Sequence, residues 1–177
     1  MWTMLILIEG CDGVGKTSLA HALRERTGGT IIKTRQPTTD CLPFYTAPLA
    51  DYKAGSGTTV ICDRWHLGER VYGPIRRGKC GLSPVAWGAV EAFLTERGAI
   101  GVLCVAPLET LIERLDKRGE PYNVDWLAQE VKAFQYAWTW SNLPWFMAHT
   151  QAHPTAKIAD AVIDFAQREE KAVLNGS

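Results

Sequence analysis

Apolar runs and amphipathic segments alternate along the 177-residue chain. Five apolar runs read as strands, and because apolar residues are continuous in them, we expect both faces of the sheet to be covered. The predicted strands cover residues 3–9, 30–34, 58–62, 100–105 and 145–149. Segments with helical periodicity lie at residues 16–27, 84–97, 108–118, 124–140 and 155–171. This βαβ succession predicts a parallel α/β sheet.

The segment 36–57 has no sustained period and carries several prolines and glycines. It reads as a long loop with room for one short helix, and long loops inside compact domains tend to be functional. The chain shows no internal repeat and no linker. We therefore predict a single domain that spans residues 1–177.

Nineteen basic residues balance nineteen acidic ones, so no overall field favours a nucleic acid or an anionic membrane, and an anion site has to be built locally. The five cysteines form no CxxC pair, which is typical of reduced thiols in a cytosol. The apolar run 4–8 is much shorter than the roughly 20 residues of a membrane span. We expect a soluble intracellular protein with no structural metal and no membrane partner.

A phosphate-binding loop follows the first strand: residues 10–17 read GCDGVGKT and match the Walker A pattern at every fixed position. Its glycines let backbone N–H groups turn towards phosphates, and the next helix directs its positive dipole end at them. Lys16 is a candidate catalytic residue that supplies charge to the β- and γ-phosphates, and the Thr17 hydroxyl is a candidate Mg²⁺ ligand. ATP and Mg²⁺ are the expected cofactors. The expected ATP-binding residues of the loop are Gly10, Gly13, Val14, Gly15, Lys16, Thr17 and Ser18.

The run IEGCDGVGKT resembles the opening of the thymidylate kinases and related deoxynucleoside kinases, whose first strand ends in E-G-x-D-G-x-G-K-S/T. The resemblance implies that Asp12 reaches the 3′-hydroxyl of the acceptor sugar. The segment TRQP, residues 34–37, is similar to the R-E-P segment of this family, which implies that Arg35 grips the acceptor phosphate. Arg35 also falls at the carboxyl end of a strand, where open parallel sheets bind ligands.

The run VICDRWHLGERVYG, residues 60–73, resembles the D-R-Y of the same family and the A-Y-Q that follows it. A carboxylate at the end of a buried strand beside a phosphate-binding loop suits ligation of Mg²⁺-bound water or positioning of a hydroxyl. Asp63 is therefore a candidate catalytic residue and, together with Thr17, a candidate metal ligand. The resemblance implies that Arg64 bridges the two phosphates during transfer, in a catalytic and substrate-binding role, and that Tyr72 contacts the acceptor.

The run ETLIERLDKRGEPYN, residues 109–123, is similar to the lid of this kinase superfamily. The resemblance implies a short lid at about residues 114–124. Arg114 is then expected to bind ATP and Arg118 to be a catalytic lid cation, with Lys117 beside it.

Together these matches imply a three-layer α/β/α P-loop fold with five parallel strands in the order 2-3-1-4-5. They also imply transfer of the γ-phosphoryl group of ATP, by positioning and charge neutralisation. Deoxynucleoside kinases typically have a glutamate base where Gln36 stands, and an amide cannot act as a base. A nucleotide brings its own anionic oxygen, which suits Arg35. The sequence favours a deoxynucleoside monophosphate kinase of the cytoplasm, with dTMP as the first acceptor to test.

Other acceptors remain open. Only 27 residues lie between Arg35 and Asp63, fewer than in cellular thymidylate kinases, and the chain looks more like the short phage-encoded members of the group, which act in a host cytoplasm. Arg76 and Arg77 read either as a solvated basic turn or as a patch for nucleic acid. The alternatives are a kinase of polynucleotides or of a modified base in DNA, a deoxynucleoside kinase, and a regulatory ATPase that transfers nothing.

The expected partner is a small nucleotide, and a nucleic acid is less favoured. An aromatic series with partly helical spacing reads as core or as the face of a homodimer rather than as a platform for bases. The series consists of Trp126, Phe134, Trp138 and Trp140.

Overall fold

The computed structural model describes residues 3–37 and 40–175. Five parallel strands form one sheet in the order β2-β3-β1-β4-β5, which confirms the predicted topology. The strands are β1 (Met4–Glu9), β2 (Thr30–Lys33), β3 (Thr59–Asp63), β4 (Ala99–Val105) and β5 (Trp145–His149).

Strand β1 is the central strand, and all six of its residues are buried. In its pairing with β3, Ile8 lies opposite Asp63. The loop that follows β1 therefore begins beside the last residue of β3. The register of the sheet, and not closeness in sequence, brings Asp63 to the phosphate-binding loop.

Helices cover both faces of the sheet, which confirms the predicted three-layer architecture. Helices α1 and α7 contact each other, and α3 and α6 contact each other. The helices of the described residues are α1 (Lys16–Thr27), α2 (Cys41–Thr46), α3 (His66–Arg77), α4 (Pro84–Glu96), α5 (Leu108–Arg118), α6 (Val124–Ala137) and α7 (Thr155–Asn175).

Local sequence explains where several predicted helices begin. The Ser83 hydroxyl accepts from Ala86 N at 3.1 Å and caps α4, and the Asn123 side chain accepts from Trp126 N at 3.0 Å and caps α6. These are typical N-cap residues, since their side chains satisfy N–H groups that have no partner inside the helix. The helix predicted over 124–140 ends at Ala137 and continues as one 3₁₀ turn.

The hydrophobic pattern does not predict helix α3, because Gly68, Gly73 and Pro74 interrupt it. This helix carries Arg76 and Arg77 in its last turn. Both side chains form ion pairs with buried carboxylates. The interpretation of this segment as a solvated basic turn is therefore wrong.

The segment 36–57 contains the short helix α2, followed by a 3₁₀ turn (Ala47–Leu49). In the aromatic series, Phe134 is buried in the core, whereas Trp126, Trp138 and Trp140 are exposed. A homodimer stays a prediction. Within the described ranges, no helix has both the length and the apolar character that crossing a membrane requires.

Candidate active site

The phosphate-binding loop joins β1 to α1 and turns on glycines with positive φ. Gly10, Gly13 and Gly15 have φ values of 136°, 81° and 100°. Only glycine adopts such values at little cost. A Cβ on Gly10 would also lie 2.4 Å from the carbonyl oxygen of Cys104. The backbone path that can cradle phosphates therefore depends on these residue types.

Lys16 opens helix α1 beneath this loop. Its Nζ donates to the carbonyl oxygens of Gly10 and Cys11, both at 2.7 Å. Burial lowers the pKa of the Lys16 ammonium below its usual value. The side chain is thus fixed inside the loop, where a phosphate would meet its charge.

Thr17 and Asp63 meet at the base of the loop, as the sequence predicts. The Thr17 hydroxyl donates to Asp63 Oδ2 at 2.7 Å, and Lys33 Nζ lies 3.8 Å from the same oxygen. Asp63 Oδ1 is buried and has no hydrogen-bond partner among the described residues.

This pair fits Mg²⁺. The ion prefers oxygen ligands and usually takes one or two from protein, with phosphates and water supplying the rest. In the described part of the chain, no three His, Cys, Asp or Glu side chains cluster in a way that could hold a metal. Thr17 and Asp63 would therefore hold the ion together with a bound nucleotide.

Asp12 lies inside the loop and joins it to two arginines. Its Oδ1 accepts from Arg64 Nη2 at 2.7 Å and its Oδ2 from Arg76 Nη2 at 3.0 Å. Burial raises the pKa of the Asp12 carboxyl, but the charges of Arg64, Lys16 and Arg76 outweigh burial and lower it below the usual value. Asp12 is therefore a fixed anion between the two arginines.

The sequence analysis missed the role of Arg76 in this network. Arg76 Nε and Nη2 donate to the two carboxylate oxygens of Glu130 at 2.6 and 3.0 Å. Its guanidinium also lies 4.3 Å from the ring centroid of Tyr72, and the Tyr72 hydroxyl donates to Gly10 O at 2.8 Å. Arg76 and Tyr72 thus link α3 and α6 to the phosphate-binding loop.

Arg64 has a φ of 72°, which is uncommon for any residue other than glycine. Its N–H donates to Ile8 O at 2.9 Å, and its carbonyl accepts from the Thr34 hydroxyl at 2.8 Å. These bonds to the ends of β1 and β2 hold the strained backbone, and such strain is characteristic of functional sites.

Glu9, the last residue of β1, is a second feature that the sequence analysis missed. Its Oε1 accepts from the backbone N–H groups of Trp65 and Gly68, at 2.9 and 3.1 Å. The side chain thereby caps helix α3, whose own N-cap residue makes no side-chain bond. Burial raises the pKa of the Glu9 carboxyl. The sequence feature that could have indicated this role is a charged residue at the end of an otherwise apolar strand.

A small cleft with a cavity of about 90 Å³ lies beside this network. Arg35, Gln36, Arg64 and Tyr72 are among the residues that line it. Arg35 is exposed and forms no ion pair with another described residue. The predicted acceptor residues are therefore brought together, with Asp12 adjacent through its bond to Arg64.

A separate cavity of about 350 Å³ lies across the loop and is lined by Ser18, Arg114, Lys117 and Arg118. Arg114 Nη1 donates to Val14 O at 3.2 Å and to the Thr150 hydroxyl at 3.1 Å. The guanidinium thus supports the loop backbone from this side.

The predicted lid reduces to the end of α5 and a five-residue connection to α6. Arg118 Nε lies 3.0 Å from Glu120 Oε1, so its side chain is ion-paired within the lid. The roles of Arg114 and Arg118 in binding and catalysis stay predictions.

No protein-family model and no curated protein matches this sequence. Among solved structures, the YorR protein of Bacillus subtilis in complex with phosphorylated GDP is 20% identical, with a TM-score of 0.80 over 95% of this chain and 98% of its own. A deoxyadenosine kinase from M. mycoides with the products dCMP and a flexible dCDP bound is 14% identical, with a TM-score of 0.64 over 93% of this chain and 99% of its own.

A gluconokinase from Sinorhizobium meliloti 1021 is also 14% identical, with a TM-score of 0.62 over 99% of this chain and 98% of its own. The chain therefore has the fold of P-loop kinases. The two named kinases differ in the chemistry of their acceptors, so the fold leaves the acceptor to be decided by the site.

Proposed function

We propose that this chain is an ATP- and Mg²⁺-dependent kinase that phosphorylates a deoxynucleoside monophosphate, with dTMP as the first acceptor to test. The observation that carries the proposal is the position of the Thr17 and Asp63 pair, next to a cleft lined by Arg35 and Arg64. Groups for a metal-bound triphosphate and groups for a second anion are thus neighbours.

The donor side supplies most of the charge that phosphoryl transfer needs. Bound Mg²⁺-ATP supplies the phosphoryl group and a divalent charge. Lys16 neutralises phosphate oxygens from inside the loop, and Thr17 and Asp63 hold the metal. Two like unit charges 4 Å apart repel by about 4 kcal/mol at an effective dielectric constant of 20, so a triphosphate and a monophosphate approach each other only where cations gather.

The acceptor side suits a phosphate better than a hydroxyl. Arg35 lines the cleft as an exposed cation that has no ion-pair partner in the described ranges, and Gln36 beside it cannot remove a proton. A monophosphate needs no base because its oxygen is already anionic. Arg64 would orient that oxygen while Asp12 accepts a hydrogen bond from the sugar.

A deoxynucleoside kinase is the second candidate, and Asp63 favours it. A hydroxyl acceptor needs a base within hydrogen-bond reach. Asp63 Oδ1 is buried and has no partner in the described part of the chain, so this oxygen could accept the proton. A modified base in DNA would use the same group.

The deciding experiment measures ADP release with deoxynucleosides, deoxynucleoside monophosphates, DNA and gluconate, with and without Mg²⁺. The proposal expects Mg²⁺-dependent transfer to monophosphates, with dTMP among them. Transfer to nucleosides alone would overturn it in favour of the deoxynucleoside kinase. Transfer to DNA alone would overturn it in favour of a DNA kinase. ADP release without any acceptor dependence would indicate a regulatory ATPase.

A further inference from the structure

A buried carboxylate lines the acceptor cleft. Glu69 of α3 is only 4% exposed, and its Oε1 accepts from Gly81 N at 2.8 Å and from Arg77 Nη2. A Cβ on Gly73 or on Gly81 would lie 2.9 Å from this oxygen. The niche around Oε1 is therefore built by two glycines, one N–H and one guanidinium.

The second oxygen of this carboxylate, Oε2, is available to a ligand. Both Glu69 and Arg77 line the cleft. Among the described residues, Glu69 Oε2 has no hydrogen-bond partner, and Arg77 donates only through Nη2, to Glu69. A carboxylate only accepts hydrogen bonds and a guanidinium only donates them. Glu69 and Arg77 thus bring to one cleft an acceptor oxygen and donor groups that have no partner among the described residues.

Aromatic side chains form the adjoining walls. Tyr45 and Trp65 line the same cleft, and their ring centroids are 5.7 Å apart. The cavity of about 90 Å³ is smaller than the roughly 300–1,000 Å³ of sites that enclose whole drug-sized ligands. Only a part of the acceptor fits inside. The planes of the two rings are tilted by 59°, so a planar group can pack against one aromatic face while polar side chains of the cleft contact its edge.

We propose that Glu69 and Arg77 read the hydrogen-bonding edge of a nucleobase. Glu69 Oε2 accepts an N–H of the base, and Arg77 donates to the adjoining carbonyl oxygen or ring nitrogen. This inference rests on the proposed function, since it assumes that the acceptor is a nucleotide. A sugar acid fits worse because Glu69 would repel its carboxylate.

The test is the Glu69→Gln variant. In this variant the amide oxygen keeps the place of Oε1, because that atom must accept from Gly81 and Arg77. The NH₂ group then takes the place of Oε2. Because an NH₂ group only donates, it cannot accept the N–H of the base. The four deoxynucleoside monophosphates are compared with analogues that lack this N–H, such as N3-methyl-dTMP and N4-dimethyl-dCMP. Deoxyribose 5-phosphate, which lacks the base, is the reference acceptor.

With the preferred nucleotide, Glu69→Gln should lower kcat/KM for the acceptor about 10- to 100-fold, the range for loss of a hydrogen bond to a charged group. The KM for ATP and the use of deoxyribose 5-phosphate should not change. The variant should also discriminate less than the parent between the nucleotide and its methylated analogue. Equal losses with nucleotide and deoxyribose 5-phosphate would overturn the inference.

Two controls keep the result interpretable. Glu96→Gln changes an exposed glutamate at the end of α4, away from the cleft, and should alter none of these values. Arg77→Lys tests the donor half of the pair and should weaken nucleotide use without affecting deoxyribose 5-phosphate. Thermal unfolding verifies that each variant folds.

Acceptor binding, measured by calorimetry without ATP, separates this inference from the proposed function. Nucleotides that bind, and bind more weakly to Glu69→Gln, support base reading even if no phosphoryl group is transferred. Transfer to nucleotides that is insensitive to Glu69→Gln overturns base reading alone.

Discussion

The two halves of the site are built in different ways. Most of the donor half comes from one stretch of chain, in which strand β1, the glycine turn and helix α1 follow one another, and Asp63 joins it from the end of β3. The acceptor half collects Asp12 from the loop, Arg35 and Arg64 from the segments that follow β2 and β3, and Glu69 from α3. A site built mainly from one segment can be recognised from a single sequence motif. A site assembled from several segments forms only when the fold packs those segments together.

Arg76 is where the two halves join. Its guanidinium bonds Asp12 in the loop and Glu130 in α6 and stacks on Tyr72. A change here should affect both halves at once, whereas a change at Lys16 or at Arg35 should affect one half. The Lys16 and Arg35 variants below test this division, and the Arg76 variant tests how much the junction contributes to stability.

Lys16→Met should have the largest effect on catalysis. Removing the buried ammonium takes away a charge aimed at the β- and γ-phosphates, and we expect kcat to fall about 100- to 1,000-fold. ADP release with the preferred acceptor measures kcat, and calorimetry measures acceptor binding, which should be unchanged. Unaltered transfer by this variant would contradict the donor assignment.

Arg35→Ala should damage only the acceptor half. Loss of a charged bond to the acceptor phosphate should reduce kcat/KM for the acceptor about 10- to 100-fold, with the KM for ATP unchanged. Steady-state kinetics with each substrate varied in turn provides the measurement. Arg168→Ala, an exposed arginine of α7, is the matched control. Equal losses for ATP and acceptor would show that Arg35 does not belong to the acceptor half.

Arg76→Met should destabilise the fold, because it leaves the buried Glu130 carboxylate without its partner. We expect a loss of about 1–3 kcal/mol in the free energy of unfolding, measured with urea. Arg76→Met with Glu130→Gln should recover part of this loss, since no unpaired charge remains. The matched control is Arg26→Met, which breaks an exposed pair with Asp160 and should cost less than about 1 kcal/mol.

Asp12→Asn should have the smallest effect on stability, and this effect should depend on pH. The folded-state pKa of Asp12 lies below its ordinary value of 3.8, so the ionised carboxylate stabilises the fold. This contribution is fully present above the ordinary pKa and is lost as pH falls through the lower folded-state value. The difference in unfolding free energy between parent and variant should be constant at neutral pH and shrink in acid. A difference independent of pH would mean that the charge of Asp12 contributes nothing.

The fold followed from the sequence wherever one segment carried its own pattern. Helix α1 follows the Walker A loop and the strands are continuous apolar runs, so a parallel sheet covered on both faces was predicted from the pattern, and the strand order from the resemblance to P-loop kinases. Helix α3 contains Gly68, Gly73 and Pro74, which are unfavourable in an isolated helix. Glu9, the last residue of strand β1, caps this helix. Because the capping residue is distant in sequence, the sequence of the helix itself does not reveal the contact.

The sequence by itself determined the phosphate-binding loop, because glycines, a lysine and a hydroxyl at fixed spacing meet a need that is local to one turn. It also identified Arg35 and Asp63, since both stand at the ends of strands that read clearly. Only the tertiary structure decided that Arg76 pairs with Glu130 and that Glu69 and Arg77 face the acceptor cleft. Those contacts depend on how α3 packs beside α6 and beside the loop that follows α3. The spacing of residues that are distant in sequence does not determine this packing.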